Sequence, residues 1–282
     1  MYQLKVKNNN GDILQLTNNS NYEIIDIDGL NPPKVTINAS VNTTTDGSKV
    51  NSVRVESRNI VIYIAIRGNA EKNRLVLYDY FPNKKEVTLY YANSSRNVYI
   101  KGIVENIDCK LFTNQQIAQI SIICADPYFK NINNLTTTFS DVMPMFEFPF
   151  SIEETGKEFS VIVHNIRKNI FNQGNFETGI NIKLFATGTV VKPIIYDVLQ
   201  KTYIKLNFTM QPSDTIIIDT TPRNKSIELV RSGITSNILG NMSMDSTFFT
   251  LKAGDNVFSY DCESGSDNLQ ITFTTPILYS GV

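Results

Sequence analysis

A short stretch before the middle of the chain alternates apolar and polar residues at the two-residue period of a β-strand. The apolar positions of this stretch are Ala118, Ile120, Ile122 and Cys124. Pro127 then stops the pattern, because proline has no backbone N–H to donate to a neighbouring strand. The alternation predicts a half-buried strand, and the segments upstream are expected to pair with it.

The segment upstream is predicted to add further strands and one short helix. Every second residue from Ile60 to Ile66 is isoleucine and those between are apolar or aromatic, which predicts a strand covered on both faces. In the run that ends at Pro82, apolar residues recur four positions apart, which predicts a helix with Asn69 as its N-cap. Residues 42–51 are mostly polar and are predicted to form an exposed loop or hairpin tip, which either meets a partner or is simply solvated.

The chain is predicted to contain two domains, because its 282 residues suffice for two independent cores. Residues 1–135 form the first domain, and residues 136–150, stiffened by prolines, form a connector. Residues 151–282 consist of many short strands separated by polar turns, which predicts an antiparallel β-sandwich. Within it, the strand at residues 257–260 is expected to pair with the strand at residues 269–273. The predicted fold class is therefore mainly β.

Composition narrows the range of partners. The formal net charge is −1, so the chain as a whole has no basic bias toward nucleic acid. No apolar run reaches the ~20 residues of a membrane-spanning helix, and the first residues do not resemble a signal peptide. We therefore expect no membrane partner, and a protein that stays in the cytoplasm or leaves it without a signal.

Metal and disulfide sites are not predicted. Cys109, Cys124 and Cys262 are odd in number, widely spaced and without a Cys-x-x-Cys pair, so buried free thiols are expected. Asp26 and Asp28 superficially resemble the start of a calcium loop. The following positions lack the oxygen ligands such a loop needs, and a plain turn is the expected structure.

Catalytic residues are not predicted either, and the chain is expected not to be an enzyme. His164 is the one histidine and lies in a strand pattern without nearby partners at ligand or triad spacing. Glu153 and Glu154 are adjacent, so on a strand they would face opposite ways rather than form a carboxylate pair. No glycine-rich phosphate-binding loop is present, and no cofactor is expected.

Carbohydrate binding by the second domain is the alternative function. β-Sandwiches often present aromatic rings to sugars, and the chain has no tryptophan, so tyrosines would have to serve. The candidates are Tyr196, Tyr203 and Tyr260. Ordinary packing of these rings in the sandwich is the competing interpretation.

The order of motifs resembles the distal tail protein (Dit) family of tailed phages and phage-tail-like particles. In the first domain the matching segments are Gly29-Leu30-Asn31-Pro32-Pro33, the Asp46-Gly47 loop, residues 58–64, the helical run at 74–78 and residues 119–129. In the second domain they are residues 188–196, 217–220 and 249–256. Together these motifs cover nearly the whole chain.

The resemblance implies a structural protein of the virion tail tip or baseplate, assembled in the cytoplasm of the bacterial host. The first domain would be a ring-forming belt domain that builds a hexamer between the tail tube protein and the tail-associated hub protein, and DNA would pass through the ring in transit. The second domain would be a galectin-like sandwich that holds baseplate or receptor-binding proteins. A tail-tube protein would need only one small domain, so the second domain argues against that role.

Overall fold

The structure is a computed structural model that describes residues 2–41, 46–113, 115–144, 160–164 and 167–282. The chain forms two compact units: unit 1 comprises Met1–Ile132 together with Leu278–Val282, and unit 2 comprises Asn133–Ile277. Both units are built from antiparallel strands, so the prediction of a mainly β fold is confirmed. No helix among the described residues is long and apolar enough to cross a membrane.

Unit 1 contains a long antiparallel sheet, a separate hairpin and one helix. Its elements are β1 (Gln3–Lys7), β2 (Ile13–Gln15), β3 (Tyr22–Asp28), β4 (Val35–Val41), β5 (Ser48–Val55), β6 (Arg58–Ile66), α1 (Ala70–Tyr80), β7 (Glu86–Ala92), β8 (Asn97–Cys109), β9 (Ile117–Cys124) and β10 (Phe129–Asn131). The sheet runs in the order β2-β1-β7-β8-β9-β6-β3, and β10 pairs with β8. The strand predicted first from the sequence is β9, which lies between β8 and β6.

The core of unit 1 lies on one face of this sheet and is closed by α1. The alternating residues of β6 and β9 are fully buried there, and the helix adds Leu77 and Phe81. Asn69 caps the helix as predicted, because its side-chain oxygen accepts a hydrogen bond from the N–H of Lys72 at 3.2 Å. The prediction that β6 is covered on both faces is only partly correct, since Val61 on its outer face is only partly buried.

Strands β4 and β5 form a two-stranded hairpin apart from the main sheet. The predicted polar loop at residues 42–51 is therefore shorter than expected, because β5 already begins at Ser48. Residues 42–45 of that prediction lie outside the described residues.

Unit 2 is a sandwich of two antiparallel sheets. Its strands are β11 (Leu135–Thr138), β12 (Ser140–Pro144), β13 (Ser160–His164), β14 (Arg167–Asn172), β15 (Asn181–Ala186), β16 (Val190–Val191), β17 (Ile194–Asp197), β18 (Thr202–Lys205), β19 (Thr209–Met210), β20 (Thr215–Asp219), β21 (Ser226–Arg231), β22 (Ile234–Asn237), β23 (Gly254–Asp261) and β24 (Leu269–Thr275). One sheet has the order β11-β24-β15-β20-β21-β22 and the other β14-β23-β17-β18. Two short pairs, β12 with β13 and β16 with β19, complete the described strands.

The two sheets of unit 2 bury their facing side chains in one apolar core. Phe258 of β23 and Phe273 of β24 meet across it, with ring centroids 5.0 Å apart. The expected pairing of these two strands is therefore wrong. They belong to opposite sheets, because the segment between them crosses from one sheet to the other, and β24 pairs instead with β11 and β15.

The chain passes between the units at places that the sequence did not indicate. The first passage follows Ile132. Strand β11 of unit 2 (Leu135–Thr138) therefore includes residues on both sides of the predicted boundary at residue 135. Residues 145–150 of the predicted connector lie outside the described residues. After unit 2 the chain returns to unit 1, where β25 (Leu278–Tyr279) pairs with β10. The last five residues, Leu278–Val282, are called the C-terminal segment below.

Candidate functional site

The three cysteines are free thiols, of which Cys124 is buried as predicted, whereas Cys109 and Cys262 are only partly buried. Cys124 is fully buried in β9, and burial raises the pKa of its thiol to about 12 although the nearby Arg58 cation opposes the shift. Burial also raises the pKa of Cys109 and of Cys262. All three are therefore neutral, weakly reactive thiols near pH 7.

The two aspartates of the calcium-like pattern lie exposed on β3, at its solvent face and its end. Gly29 forms the turn after them with a φ of +86°, and a Cβ at this position would lie 2.1 Å from the carbonyl oxygen of Asn59. Among the described residues, no group of three or more His, Cys, Asp or Glu side chains is placed to hold a metal ion. The glycine is therefore required by the turn and by the close approach of β6.

Of the three residues discussed as catalytic candidates, the structure describes His164 alone, and only its backbone. The backbone of His164 is in β13, where it pairs with Ser140. Glu153 and Glu154 lie outside the described residues.

The tyrosines considered for sugar binding divide into two groups. Tyr196 of β17 and Tyr203 of β18 are cross-strand neighbours on the outer face of their sheet, with ring centroids 6.1 Å apart. Tyr260 points into the core of unit 2 and is 4% exposed. A groove of about 400 Å³ is lined by Tyr196 and Tyr260 and by polar side chains that include Asp261 and Asp267. Burial raises the pKa of both lining tyrosines, and the neighbouring carboxylates add to the shift.

The guanidinium of Arg58, at the start of β6, is held by several hydrogen bonds. Arg58 as a whole is 3% exposed. The guanidinium donates hydrogen bonds to four backbone carbonyl oxygens, those of Pro127 at 2.8 Å, Asn31 at 2.6 Å, Gly29 and Ser280. It also lies over the ring of Phe129, 4.6 Å from the centroid.

Arg58 has no carboxylate partner among the described residues. Burial lowers its pKa, yet a guanidinium stays charged at any physiological pH. A buried cation without a counter-ion is stable only where other groups replace its hydration, and here the four carbonyl oxygens do so. One cation thereby ties the turn before β4, the chain before β10 and the C-terminal segment to the start of β6.

A second arginine holds the C-terminal segment from the other side. Arg96 donates a hydrogen bond to the carbonyl of Gly281 and lies over the ring of Tyr279, 4.4 Å from its centroid. The N–H of Val282 donates to the carbonyl of Leu30 at 3.2 Å. A Cβ on Gly281 would lie 3.1 Å from that same carbonyl oxygen, so the segment fits closely against the turn before β4.

The hairpin of β4 and β5 carries an exposed apolar face. Its cross-strand pairs Val35 with Val55 and Ile37 with Val53 place apolar side chains together. The exposed fractions are 41% for Val35, 60% for Ile37, 77% for Val41, 54% for Val50 and 62% for Val53. The opposite face is polar, where for example Asn38 donates to the hydroxyl of Ser52 at 3.0 Å. We call this pair of strands the assembly hairpin.

Residues 29–33 and 58–64 are separate motifs in the sequence. The structure brings both into contact with the C-terminal segment through Arg58. The sequence did contain a signal for this contact. Arg58 is in phase with the buried isoleucines of β6, so the alternation of the strand places this charged residue on the core side.

Residues 173–276 match a protein-family model described as the siphovirus-type tail component, C-terminal domain. A comparison with curated proteins gave no match.

Three solved structures are similar over nearly the whole chain. The crystal structure of SPP1 Dit, described as a paradigm of hub adsorption apparatus in Gram-positive infecting phages, has a TM-score of 0.70 at 10% identity and covers 98% of this chain and 99% of that one. The phage P2 baseplate in its activated conformation with calcium has a TM-score of 0.52 at 13% identity, covering 97% and 98%. The same baseplate with strontium gives 0.51 at 13% identity, with the same coverage. The resemblance predicted from the sequence is confirmed.

Proposed function

We propose that this chain, a phage tail component of the Dit family, assembles through unit 1 into a closed ring of six identical subunits that joins the tail tube to the tail hub. The observation that carries the proposal is the exposed apolar face of the assembly hairpin. The ring would lie at the tail tip or baseplate of the virion, after assembly in the cytoplasm of the host.

The assembly hairpin needs a cover because two isolated strands are at best marginally stable in water. Its five exposed apolar side chains lie on one face rather than scattered. Covering the exposed part of each would contribute about 1 kcal/mol. In a homo-oligomer every copy carries the same surface, so a neighbouring subunit is the natural cover.

The edges of the main sheet offer a second contact. The order of strands ends in β2 and β3, and β3 is seven residues long with Ile25 53% exposed. Edge strands of this kind pair readily with another chain. In a closed ring each subunit would use both edges of its main sheet to contact its two neighbours, so that no sheet edge is left unpaired.

The remaining roles follow from the ring. Unit 2 would be a galectin-like sandwich that holds baseplate or receptor-binding proteins, and the role throughout would be structural rather than enzymatic. The net charge of −1 supports a lumen through which DNA moves without tight binding, since tight binding requires many cationic contacts to phosphates.

Measurement of the particle mass tests the ring. The purified chain is expected to show the mass of six subunits by light scattering after size-exclusion chromatography. Replacing Ile37 and Val53 together with Asn should reduce assembly at least tenfold, because both side chains lie on the apolar face. The matched control replaces Ser40 and Ser52 with Asn on the polar face and should assemble normally. A native chain that stays monomeric at high concentration, or an apolar-face variant that assembles like the native chain, would contradict the proposal.

A second candidate function is contact with neutral saccharides by unit 2. The observation that favours it is the groove of about 400 Å³ beside Tyr196, in which an aromatic ring is combined with carboxylates and hydroxyls. Aromatic faces pack on sugar rings, and carboxylates accept hydrogen bonds from their hydroxyls. Calorimetric titration with glucose, galactose and N-acetylglucosamine should give heat that Tyr196→Ala abolishes and that Tyr279→Ala, in unit 1, leaves unchanged. No heat with the native chain would remove this candidate.

A further inference from the structure

We propose that the C-terminal segment is a latch that makes unit 1 competent to assemble: the assembly hairpin is held in place only after Leu278–Val282 has docked. Ring formation would then wait until unit 2 has folded and the residues that follow it have docked on unit 1. This inference rests on the proposed ring, and the experiment below separates the two.

The latch contacts the segments that flank the assembly hairpin, before β4 and after β5. Residues 29–31 precede β4, and the carbonyls of Gly29 and Asn31 accept hydrogen bonds from Arg58, which lies three residues after the end of β5. The same guanidinium binds the carbonyl of Ser280, and the N–H of Val282 binds Leu30. The docked segment and Arg58 therefore fix the entry and the exit of the hairpin together.

Undocking would remove the contacts that Arg58 and Arg96 make with the segment. Arg58 would lose one of its four acceptors while remaining buried and without a described carboxylate partner. Arg96 would lose both the carbonyl of Gly281 and the ring of Tyr279. Leu278 is 8% exposed, and Tyr279 and Val282 pack against the core of unit 1, so undocking would also uncover apolar surface. The base of the hairpin would then be free to move.

The route of the chain makes docking depend on unit 2. Unit 2 lies in the sequence between β10 and β25, which are neighbouring strands of unit 1. In folded unit 2 its own first and last strands pair, with Leu135 opposite Thr275. Folding of unit 2 therefore brings the ends of that long segment together, and an unfolded segment of this length would oppose docking by its loop-closure entropy.

Three variants of the full chain test the latch. The first lacks residues 278–282. The second is Gly281→Val, whose side chain would collide with the turn before β4, where even a Cβ comes within 3.1 Å of Leu30 and Pro32. The matched control is Ser280→Ala, because only the backbone carbonyl of Ser280 contacts Arg58.

Two measurements are made on each variant: particle mass by light scattering, and hydrogen exchange of the backbone amides in β4 and β5. The truncated chain and Gly281→Val are expected to self-associate at least tenfold more weakly and to exchange at least tenfold faster in the hairpin, with unit 2 unchanged. Ser280→Ala should behave like the native chain. Should truncation prevent folding of unit 1, the single substitution decides.

The outcomes separate the latch from the ring. If the native chain is monomeric, the ring proposal fails, yet the exchange rates still test whether the docked segment holds the hairpin. If both latch variants assemble and exchange like the native chain, the latch is wrong while the ring stands.

Discussion

Replacing Arg58 with methionine should strongly destabilise unit 1. Methionine approximates the length of the arginine stem but donates nothing, so the carbonyls of Gly29, Asn31, Pro127 and Ser280 lose their shared donor. A buried acceptor left without a partner costs about 1–3 kcal/mol. Part of the lost stability is recovered, because the cost of desolvating the buried charge disappears together with the charge. We therefore expect a net loss of about 3–5 kcal/mol, the range found when one partner of a buried charged network is removed.

The assay is urea unfolding of the full chain, followed by hydrogen exchange so that the transition of unit 1 is resolved from that of unit 2. Arg67→Met is the matched control, because Arg67 directly follows the same strand but pairs with Glu23 in solvent, with side-chain exposures of 48% and 59%. An exposed pair of this kind contributes at most about 1 kcal/mol. Arg58→Lys should rescue little, since one ammonium does not reach four dispersed carbonyls.

A loss below about 1 kcal/mol for Arg58→Met, no larger than that of the control, would refute the reasoning. It would mean that water or backbone shifts satisfy these carbonyls without the guanidinium, and that the other contacts of the C-terminal segment suffice to hold it.

Further predictions concern a glycine, a thiol and an ion pair. Gly29→Ala should cost about 3 kcal/mol by urea unfolding, whereas Gly11→Ala, with a similar φ of +96° but no atom nearer than 3.9 Å to the added Cβ, should cost about 1 kcal/mol. Cys124, with a pKa near 12, should resist maleimide at pH 8 in the native state and react only after denaturation, as mass spectrometry would show. Hydrogen bonding to Arg231 lowers the pKa of Asp214 below its ordinary value of 3.8, so the stability that the carboxylate contributes is present above that pH and lost below it. Asp214→Asn should thus reduce stability at pH 7, and its difference from the native chain should shrink as the pH falls below about 4; a constant difference would contradict this assignment.

Much of the fold could be predicted from the sequence because burial imposes a period on each strand. The alternation in β6 and β9 gave both the strands and their buried faces, and Asn69 gave the start of the helix. Alternation does not say which sheet a strand joins. For that reason β23 and β24 were expected to pair although they lie in opposite sheets.

The candidate surfaces were harder to predict, because they depend on contacts distant in sequence. The C-terminal segment is too short to show a period, and its partner strand lies on the far side of unit 2 in the chain. The assembly hairpin was not predicted, because polar residues such as Lys49 and Asn51 face solvent in β5 and made this segment resemble a loop in the sequence. The charge at Arg58 was visible, but only the fold shows that four carbonyls surround it.

The interruption of unit 1 by unit 2 has a consequence for how such chains diversify. The chain enters and leaves unit 2 through paired strands on both sides of the boundary. Leu135 pairs with Thr275 in unit 2, and Lys130 pairs with Leu278 in unit 1. Another domain whose termini lie close together can in principle replace unit 2 at the same two points of the chain. Unit 2 can then be exchanged while unit 1 keeps the same sequence on either side of the insertion.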